Sequence, residues 1–581
     1  MKDKTYVHFL VLLAVVVSTF TTFANPILSH KYTADPQPIV WNDRLYVYAS
    51  NDDQSTNPDD GYMIQAYTLV STDDMANWTD HGEVFRVPRD WRRGTATSAR
   101  AYAPGAAVRG NTVYLYPCGA GGPVGVVTAP RPEGPFNDVL NGVPLVDRNT
   151  CTNCNVPWLF DPAVFIDDDG QAYLYYGGGD ASGTPGPGEN LRVIRLNDDM
   201  ISLRREANNT INAVTIQAPR SFEAAYMHKR GDIYYFSYVN NFSGGDQHPN
   251  AAIMYMTGSS PMGPFTLRGP VLRNPAIGNQ NINRNNNNHQ AIIEYQGKWY
   301  MFYHDRRVAN ANNVPSNNAN QRNISVDSLV YNADGTMREV VVTHDGVAQI
   351  KHFNPYTTIS AATMNRQSGI KTDSISGEGM IVTSISDGNW IRLKGVDFGT
   401  AGASRFIVRA ASGSSGGSIE LRTGSATGTS IGICNIASTG GWNTWRNFEC
   451  DVNASGSAGV KDFLFLVFRG TEEPFRLSWY QFQMANQSSS SAATPSSSSA
   501  APSSSSVANA GTSSSSAEGA SSSSSSGGTT SILSQYNQQD AVIVKYYNLQ
   551  GQPLGTQKPI TSGVYIVRNS KTGQTQMMVV K

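Results

Sequence analysis

Asp161-Pro-Ala-Val-Phe-Ile-Asp-Asp-Asp-Gly-Gln-Ala-Tyr-Leu-Tyr175 reads as an apolar run, an acidic turn ending in glycine, and an alternating aromatic run. That is the pattern of a β-hairpin. Its second arm recurs as Arg44-Leu-Tyr-Val-Tyr48, Thr112-Val-Tyr-Leu-Tyr116, Asp232-Ile-Tyr-Tyr-Phe236 and Lys298-Trp-Tyr-Met-Phe302. The shared tyrosines, Tyr46, Tyr114, Tyr173, Tyr234 and Tyr300, are spaced by roughly 60 to 70 residues, room for four short strands per unit. Strands repeated at that interval predict the blades of a β-propeller around a central channel, and five repeats predict five blades.

Eleven or twelve positions before each tyrosine stand Asp35, Ala103, Asp161, Glu223 and His289. In a propeller these positions begin the innermost strand of each blade, so they converge at one mouth of the channel. An Asp beside a Pro ordinarily serves a turn. Three carboxylates and a histidine in one register point instead to a shared site. Two carboxyl groups suffice to hydrolyse a glycosidic bond: one protonates the leaving oxygen and the other activates water about 6.5–9.5 Å away. A third negative charge nearby raises the pKa of the acid and keeps it protonated.

The rest of the chain sets the context. It has 581 residues, enough for two or three domains, and a net charge of −1, which implies neither nucleic acid nor an anionic membrane as partner. Residues 1–24 carry two lysines, the apolar core Phe9-Leu-Val-Leu-Leu-Ala-Val-Val-Val17 and the small-residue end Thr22-Phe-Ala24, the pattern of a secretory signal cleaved after Ala24. No later run is apolar enough to span a membrane. A secreted protein, extracellular or attached to the cell surface, is therefore expected. Of its five cysteines, Cys434 and Cys450 lie in adjacent strand-like segments and are a candidate bridge; Cys151, Cys154 and Cys118 read as structural, since one Cys-x-x-Cys completes no zinc site.

The propeller is expected over residues 25–355. Residues 356–486 turn to Gly, Ser and short alternating runs such as Phe463-Leu-Phe-Leu-Val-Phe468, a β-sandwich pattern. Residues 487–529 are a Ser-rich flexible linker, and residues 530–581 a small β module at its end. The fold class is all-β throughout.

Ala34-Asp-Pro36, Phe160-Asp-Pro-Ala-Val-Phe-Ile-Asp-Asp-Asp-Gly170 and Ser221-Phe-Glu-Ala-Ala-Tyr-Met-His-Lys-Arg230 closely resemble glycoside hydrolase family 43. The resemblance, over about residues 28–355, implies a five-bladed propeller and an inverting mechanism. It assigns Asp35 as general base, Glu223 as general acid, and Asp161 as the residue that orients the acid and raises its pKa. It further implies His289 at the channel centre, beside a calcium ion in many members, and Arg322 reaching the sugar at the catalytic subsite. Within the family, Asp59-Asp-Gly-Tyr62 and Trp78-Thr-Asp-His81 look most like enzymes that remove α-L-arabinofuranosyl side chains from arabinoxylan of the plant cell wall. β-Xylosidase and arabinanase activities use the same scaffold and stay open, as do a non-catalytic carbohydrate-binding propeller and a retaining fructan enzyme. A monomer is expected.

Residues 356–485 resemble carbohydrate-binding module family 6, through Asp387-Gly-Asn-Trp-Ile391 and Gly440-Gly-Trp-Asn-Thr-Trp445. That resemblance makes Trp442 the residue to stack on a sugar and Trp445 a core residue. Two departures weaken it: Ile359-Ser-Ala-Ala362 stands where the family has an acid-bearing opening, and Ser384 where members often have a second aromatic. The last 50 residues resemble a C-terminal sorting domain of the type IX secretion kind, through Tyr546-Tyr-Asn-Leu-Gln-Gly551 and Ser562-Gly-Val-Tyr-Ile-Val567.

Overall fold

The computed structural model describes residues 24–485, apart from positions 53, 55–63, 89–99, 120–121, 180–188, 241–248, 279, 284–286 and 315–320, together with four strands within residues 544–580. The leader up to residue 23, Asp59-Asp-Gly-Tyr62 and the Ser-rich linker lie outside the described residues, as does most of the last module beyond those strands. Residues 1–486 and 487–581 are separate units.

Each aromatic run forms the second strand of an antiparallel sheet. The first sheet holds β1 (Ala34–Trp41), β2 (Arg44–Ser50), β3 (Ala66–Thr72) and β4 (Trp78–Arg86). The second holds β5 (Tyr102–Arg109), β6 (Thr112–Cys118), β7 (Val127–Ala129) and β8 (Asn137–Asp138). β9 (Ala163–Ile166), β10 (Ala172–Gly177), β11 (Leu191–Arg195) and β12 (Val214–Ile216) make the third. The fourth comprises β13 (Ser221–Arg230), β14 (Ile233–Asn240), β15 (Ala252–Gly258) and β16 (Thr266–Leu272). After a small hairpin of β17 (Ala276–Ile277) and β18 (Gln280–Asn281), the fifth sheet holds β19 (Gln290–Tyr295), β20 (Lys298–Asp305) and β21 (Asn323–Ser328). Tyr46, Tyr173, Tyr234 and Tyr300 are buried, which explains the recurring tyrosine: its large ring fills the space between sheets.

The first strands of these sheets contact one another in the order β1, β5, β9, β13, β19 and back to β1. The fifth sheet has three strands where the repeat length predicts four. The segment before β1 takes the missing place along β21: Ile27 N–H donates to Ile324 O at 2.9 Å, Thr33 N–H to Arg322 O at 2.9 Å, and Val326 N–H to Asn25 Oδ1 at 3.0 Å.

Three first strands start on a backbone kink. Asp35, Asp161 and Ala224 have φ of 53°, 50° and 58°, left-handed values uncommon for residues with a Cβ. The register slips at the same places in β1 and β13. Such bulges re-aim side chains and gather near active sites.

The sandwich has two sheets. One runs β25 (Lys371–Ile375), β26 (Gly379–Thr383), β33 (Arg476–Met484), β28 (Ala403–Ala411), β31 (Arg446–Asp451), with β22 (Ile359–Ser360) also on β33. The other runs β24 (Arg366–Ser368), β27 (Trp390–Asp397), β32 (Val460–Gly470), β29 (Gly416–Thr423), β30 (Thr429–Ala437). Its core includes Phe406, Ile419, Leu464, Leu466, Phe468 and Phe482. β23 (Thr363–Met364) leaves the sandwich and pairs with β4, adding a fifth strand to the first propeller-side sheet. Beneath that seam, Asp80 is fully buried. It meets Lys31 Nζ at 2.6 Å, His30 Nε2 at 3.0 Å and, from the sandwich, Thr372 Oγ1 at 2.8 Å.

Cys151 and Cys154 form a disulfide. Cys434 and Cys450, the pair adjacent in sequence reading, are free thiols in contact with one another. Trp445 is half-buried and outside the sandwich core cluster, contrary to its expected place in the core; it sits in the loop between β30 and β31 rather than on a strand.

Candidate active site

The kinked strand starts bring Asp35, Asp161, Glu223 and His289 together. All three carboxyl groups are buried. Asp35 is the most heavily held: Arg322 Nη1 donates to its Oδ1 at 2.8 Å, Ser50 Oγ donates to its Oδ2 at 2.8 Å, and His304 Nδ1 lies 3.2 Å from Oδ1. His289 stands between two acids, its Nδ1 being 4.0 Å from Asp35 Oδ1 and 3.8 Å from Asp161 Oδ2. Asp161 Oδ2 accepts the backbone N–H of Ala224 at 3.2 Å, the residue after Glu223. The left-handed turn at Ala224 therefore ties the third and fourth sheets together at the acids themselves.

Packing behind the acids fixes their approach. The end of β10 threads between Phe160 and Phe222, the residues preceding Asp161 and Glu223. A Cβ on Gly178 would lie 2.5 Å from a Phe160 ring carbon and 2.5 Å from the Phe222 carbonyl oxygen, so only glycine lets the backbone pass. Gly177 N–H donates to Phe160 O at 2.9 Å and Gly179 N–H to Phe222 O at 2.6 Å.

Electrostatics divide the carboxyl groups. Burial alone would raise the Asp35 pKa, but the Arg322 guanidinium, with the hydrogen bond from His304, outweighs it and holds Asp35 well below the usual carboxylate range. Glu223 is pushed well above that range, first by burial and then by the charges of Asp161 and Asp35. Asp161 is raised as well, by burial and then by Asp35. Burial lowers His289 to about 4, so its imidazole is neutral at neutral pH. One carboxylate is thus kept ionised and another kept protonated in the same enclosure, the division that acid–base hydrolysis requires.

Arg322 lies in this cluster and is buried with the acids. Its Nε and Nη2 clasp Asp52 at 2.9 and 2.8 Å, and its Nη1 also donates to Asn287 Oδ1 at 2.9 Å. Asp52, Ser50, Asn287 and His304 are site residues that the repeat did not reveal. Ser50 and Asp52 end and follow β2, and His304 closes β20, so their only signal is position at the far end of the strands that carry the tyrosines. Trp158 was missed too. It is 42% exposed and packs edge-on against Phe160 and Phe222, with centroids 5.6 and 5.1 Å away. Trp442 is elsewhere, in the sandwich loop between β30 and β31, with Arg476 Cζ 5.0 Å from its ring centroid.

Calcium takes about six to eight oxygen ligands. His289 offers one nitrogen beside two carboxylates, of which Asp35 is already occupied by Arg322 and Ser50. Among the described residues no group of three or more His, Cys, Asp or Glu is arranged to hold a metal ion. The residues present do not fit a directly ligated calcium.

An all-β frame with segregated, buried carboxyl groups at converging strand starts has the makings of a glycoside hydrolase. Residues 23–337 match glycosyl hydrolases family 43, and residues 360–484 match carbohydrate binding module family 6. The chain belongs to glycosyl hydrolase family 43, and it is a glycoside hydrolase. It is 38% identical over 500 residues to the arabinoxylan arabinofuranohydrolase of Bacillus subtilis (strain 168), covering 80% of this chain and 94% of that protein. It is 36% identical over 478 residues to the arabinoxylan arabinofuranohydrolase of Paenibacillus polymyxa, covering 77% and 72%. A narrower match, 31% over 361 residues, reaches the xylosidase/arabinosidase 43A of Humicola insolens, covering 53% and 97%. The crystal structure of a glycoside hydrolase family 43 arabinoxylan arabinofuranohydrolase from Bacillus subtilis in complex with cellotetraose aligns with a TM-score of 0.71 at 37% identity, over 80% of this chain and 98% of that one.

Proposed function

We propose that this protein is a secreted, inverting arabinofuranosidase that removes α-L-arabinofuranosyl side chains from arabinoxylan. The observation that carries the mechanism is the contrast in surroundings within one buried cluster: Arg322 Nη1 lies 2.8 Å from Asp35 Oδ1, while Glu223 is buried close to the two other acids. Asp35, ionised by Arg322, takes a proton from the attacking water. Glu223, kept protonated, gives its proton to the glycosidic oxygen as the bond to the xylan chain breaks. Asp161 acts through Glu223, its Oδ2 accepting the adjoining Ala224 N–H at 3.2 Å and so fixing the backbone that carries the acid. Arg322 acts through Asp35, and Trp158 offers an aromatic wall beside the acids for the sugar chain. The substrate is supported by the two arabinoxylan arabinofuranohydrolases that align across both domains. The xylosidase/arabinosidase match, confined to about half of the chain, favours β-xylosidase activity as the second reading.

The five sheets are proposed to be the blades of a closed five-bladed propeller, supported by the cyclic contacts of their first strands and by residues 25–33 lying along β21. The described strands β34 (Val544–Tyr547), β35 (Pro553–Gly555), β36 (Gly563–Asn569) and β37 (Thr575–Val580) form one antiparallel sheet. This module is proposed to be a sorting domain of the type IX secretion kind, and the protein to work as a monomer outside the cell.

Incubating the full chain with arabinoxylan, linear arabinan and xylo-oligosaccharides tests the assignment. Free arabinose from arabinoxylan, absent with Glu223→Gln, is expected. Xylose or arabino-oligosaccharides as the main product would move the substrate, and no product from any of the three would overturn the assignment.

A further inference from the structure

Cys434 and Cys450 belong to the edge strands of different sheets. Cys434 in β30 stands opposite Ile419 in β29, and Cys450 in β31 stands opposite Phe406 in β28. Ile419 and Phe406 are fully buried in the core between the sheets. Directly opposed residues share a face, so both thiols point inward from the two open edges. There they meet, side chain against side chain, with Cys450 Sγ also 3.8 Å from Phe406 O. β30 and β31 share no ladder; the backbone joins the two edges just past β31, where Asn453 N–H donates to Ile431 O at 2.7 Å. The chain between the two cysteines holds residues 438–445, the loop that presents Trp442 and Trp445. Elsewhere the same chain already carries the Cys151–Cys154 disulfide, a link that persists only where the surroundings are oxidising.

We propose that Cys434 and Cys450 are oxidised to a disulfide that staples the two sheets of the sandwich and clamps both ends of the Trp442 loop. The co-reactant is an oxidising protein disulfide. One cysteine thiolate attacks it, forming a mixed disulfide and releasing one thiol. The second cysteine then displaces the other thiol, so the two electrons and two protons lost by the pair appear as a dithiol. The contact with Cys434, and then burial, raises the Cys450 thiol above its ordinary value.

The test is tryptic mapping of the full-length exported protein, with free thiols alkylated under denaturing conditions before digestion and no reductant added. Residues 423–446 and 447–461 are expected as one linked species, two hydrogens lighter than the separate peptides and split by reductant, while Cys118 carries the label. Recovery of both peptides singly alkylated, or of either linked to Cys118, overturns the proposal. In the linked case Cys450→Ser lowers the melting temperature by several degrees, and reductant, which lowers that of the parent, then adds nothing through this pair. An unchanged melting temperature in Cys450→Ser counts against the staple even if the bond forms.

Discussion

Glu223 is costly to the fold, and in the proposed mechanism it is the group that supplies the proton. Its carboxyl is buried beside Asp161 and Asp35, and a carboxyl whose pKa is raised by folding binds its proton more tightly folded than unfolded. The stability it leaves intact near its unfolded pKa is therefore lost as pH rises through the raised folded value. Glu223→Gln removes that loss. The variant is expected to lose about 10²–10⁴-fold in turnover while melting no lower than the parent at pH 5 and higher at pH 8. Melting below the parent at both pH values would contradict this reading of its environment. Asp35 has the opposite sign: its folded pKa is depressed, so its contribution is present above the unfolded value and disappears only in strong acid. These acids were legible in sequence because the repeat registers them against the five tyrosines. Asp52, Asn287 and His304 were not, because they reach the site from strand ends and loops where no periodicity marks them.

Among the elements, the segment from Pro157 to Pro162 packs behind the acids and presents the aromatic wall proposed for the sugar chain. Trp158 N–H donates to Gly178 O at 2.9 Å, anchoring the exposed indole over Phe160 and Phe222. Losing such an aromatic contact is worth about 0.5–1.5 kcal/mol, so Trp158→Ala is expected to raise KM for arabinoxylan roughly 2- to 12-fold with kcat nearly unchanged. A small aryl arabinofuranoside should be indifferent to the change; equal losses on both substrates would refute the wall. The strand runs and their hairpins were readable from alternation and turn residues. The three-stranded fifth sheet was not, since its missing strand is replaced by residues some 300 positions earlier, a pairing that no local pattern encodes. The Cys151–Cys154 bridge was likewise hidden by a spacing shared with metal sites and redox motifs.

Across residues 24–485 the two domains are joined through a buried polar hub rather than by a loose tether. Asp80 is ionised by Lys31 and His30 despite the burial that would raise it, and it accepts from Thr372 of the sandwich. Removing one partner of a buried pair costs about 3–5 kcal/mol. Asp80→Asn is expected to lower the urea midpoint of both domains together, whereas an unchanged midpoint would show the hub to be incidental. The domain types could be read from composition, but this docking could not, because Asp80 and Thr372 are joined only when β23 crosses to β4. The central claim concerns Asp35 and Glu223, and an activated leaving group separates them. 4-Nitrophenolate needs no proton to depart, so on 4-nitrophenyl α-L-arabinofuranoside Glu223→Gln should retain far more of its parent rate than on arabinoxylan, while Asp35→Asn should lose at least about 10²-fold on both substrates. Equal losses for Glu223→Gln on the two substrates, or substantial turnover by Asp35→Asn on either, would contradict the assignment.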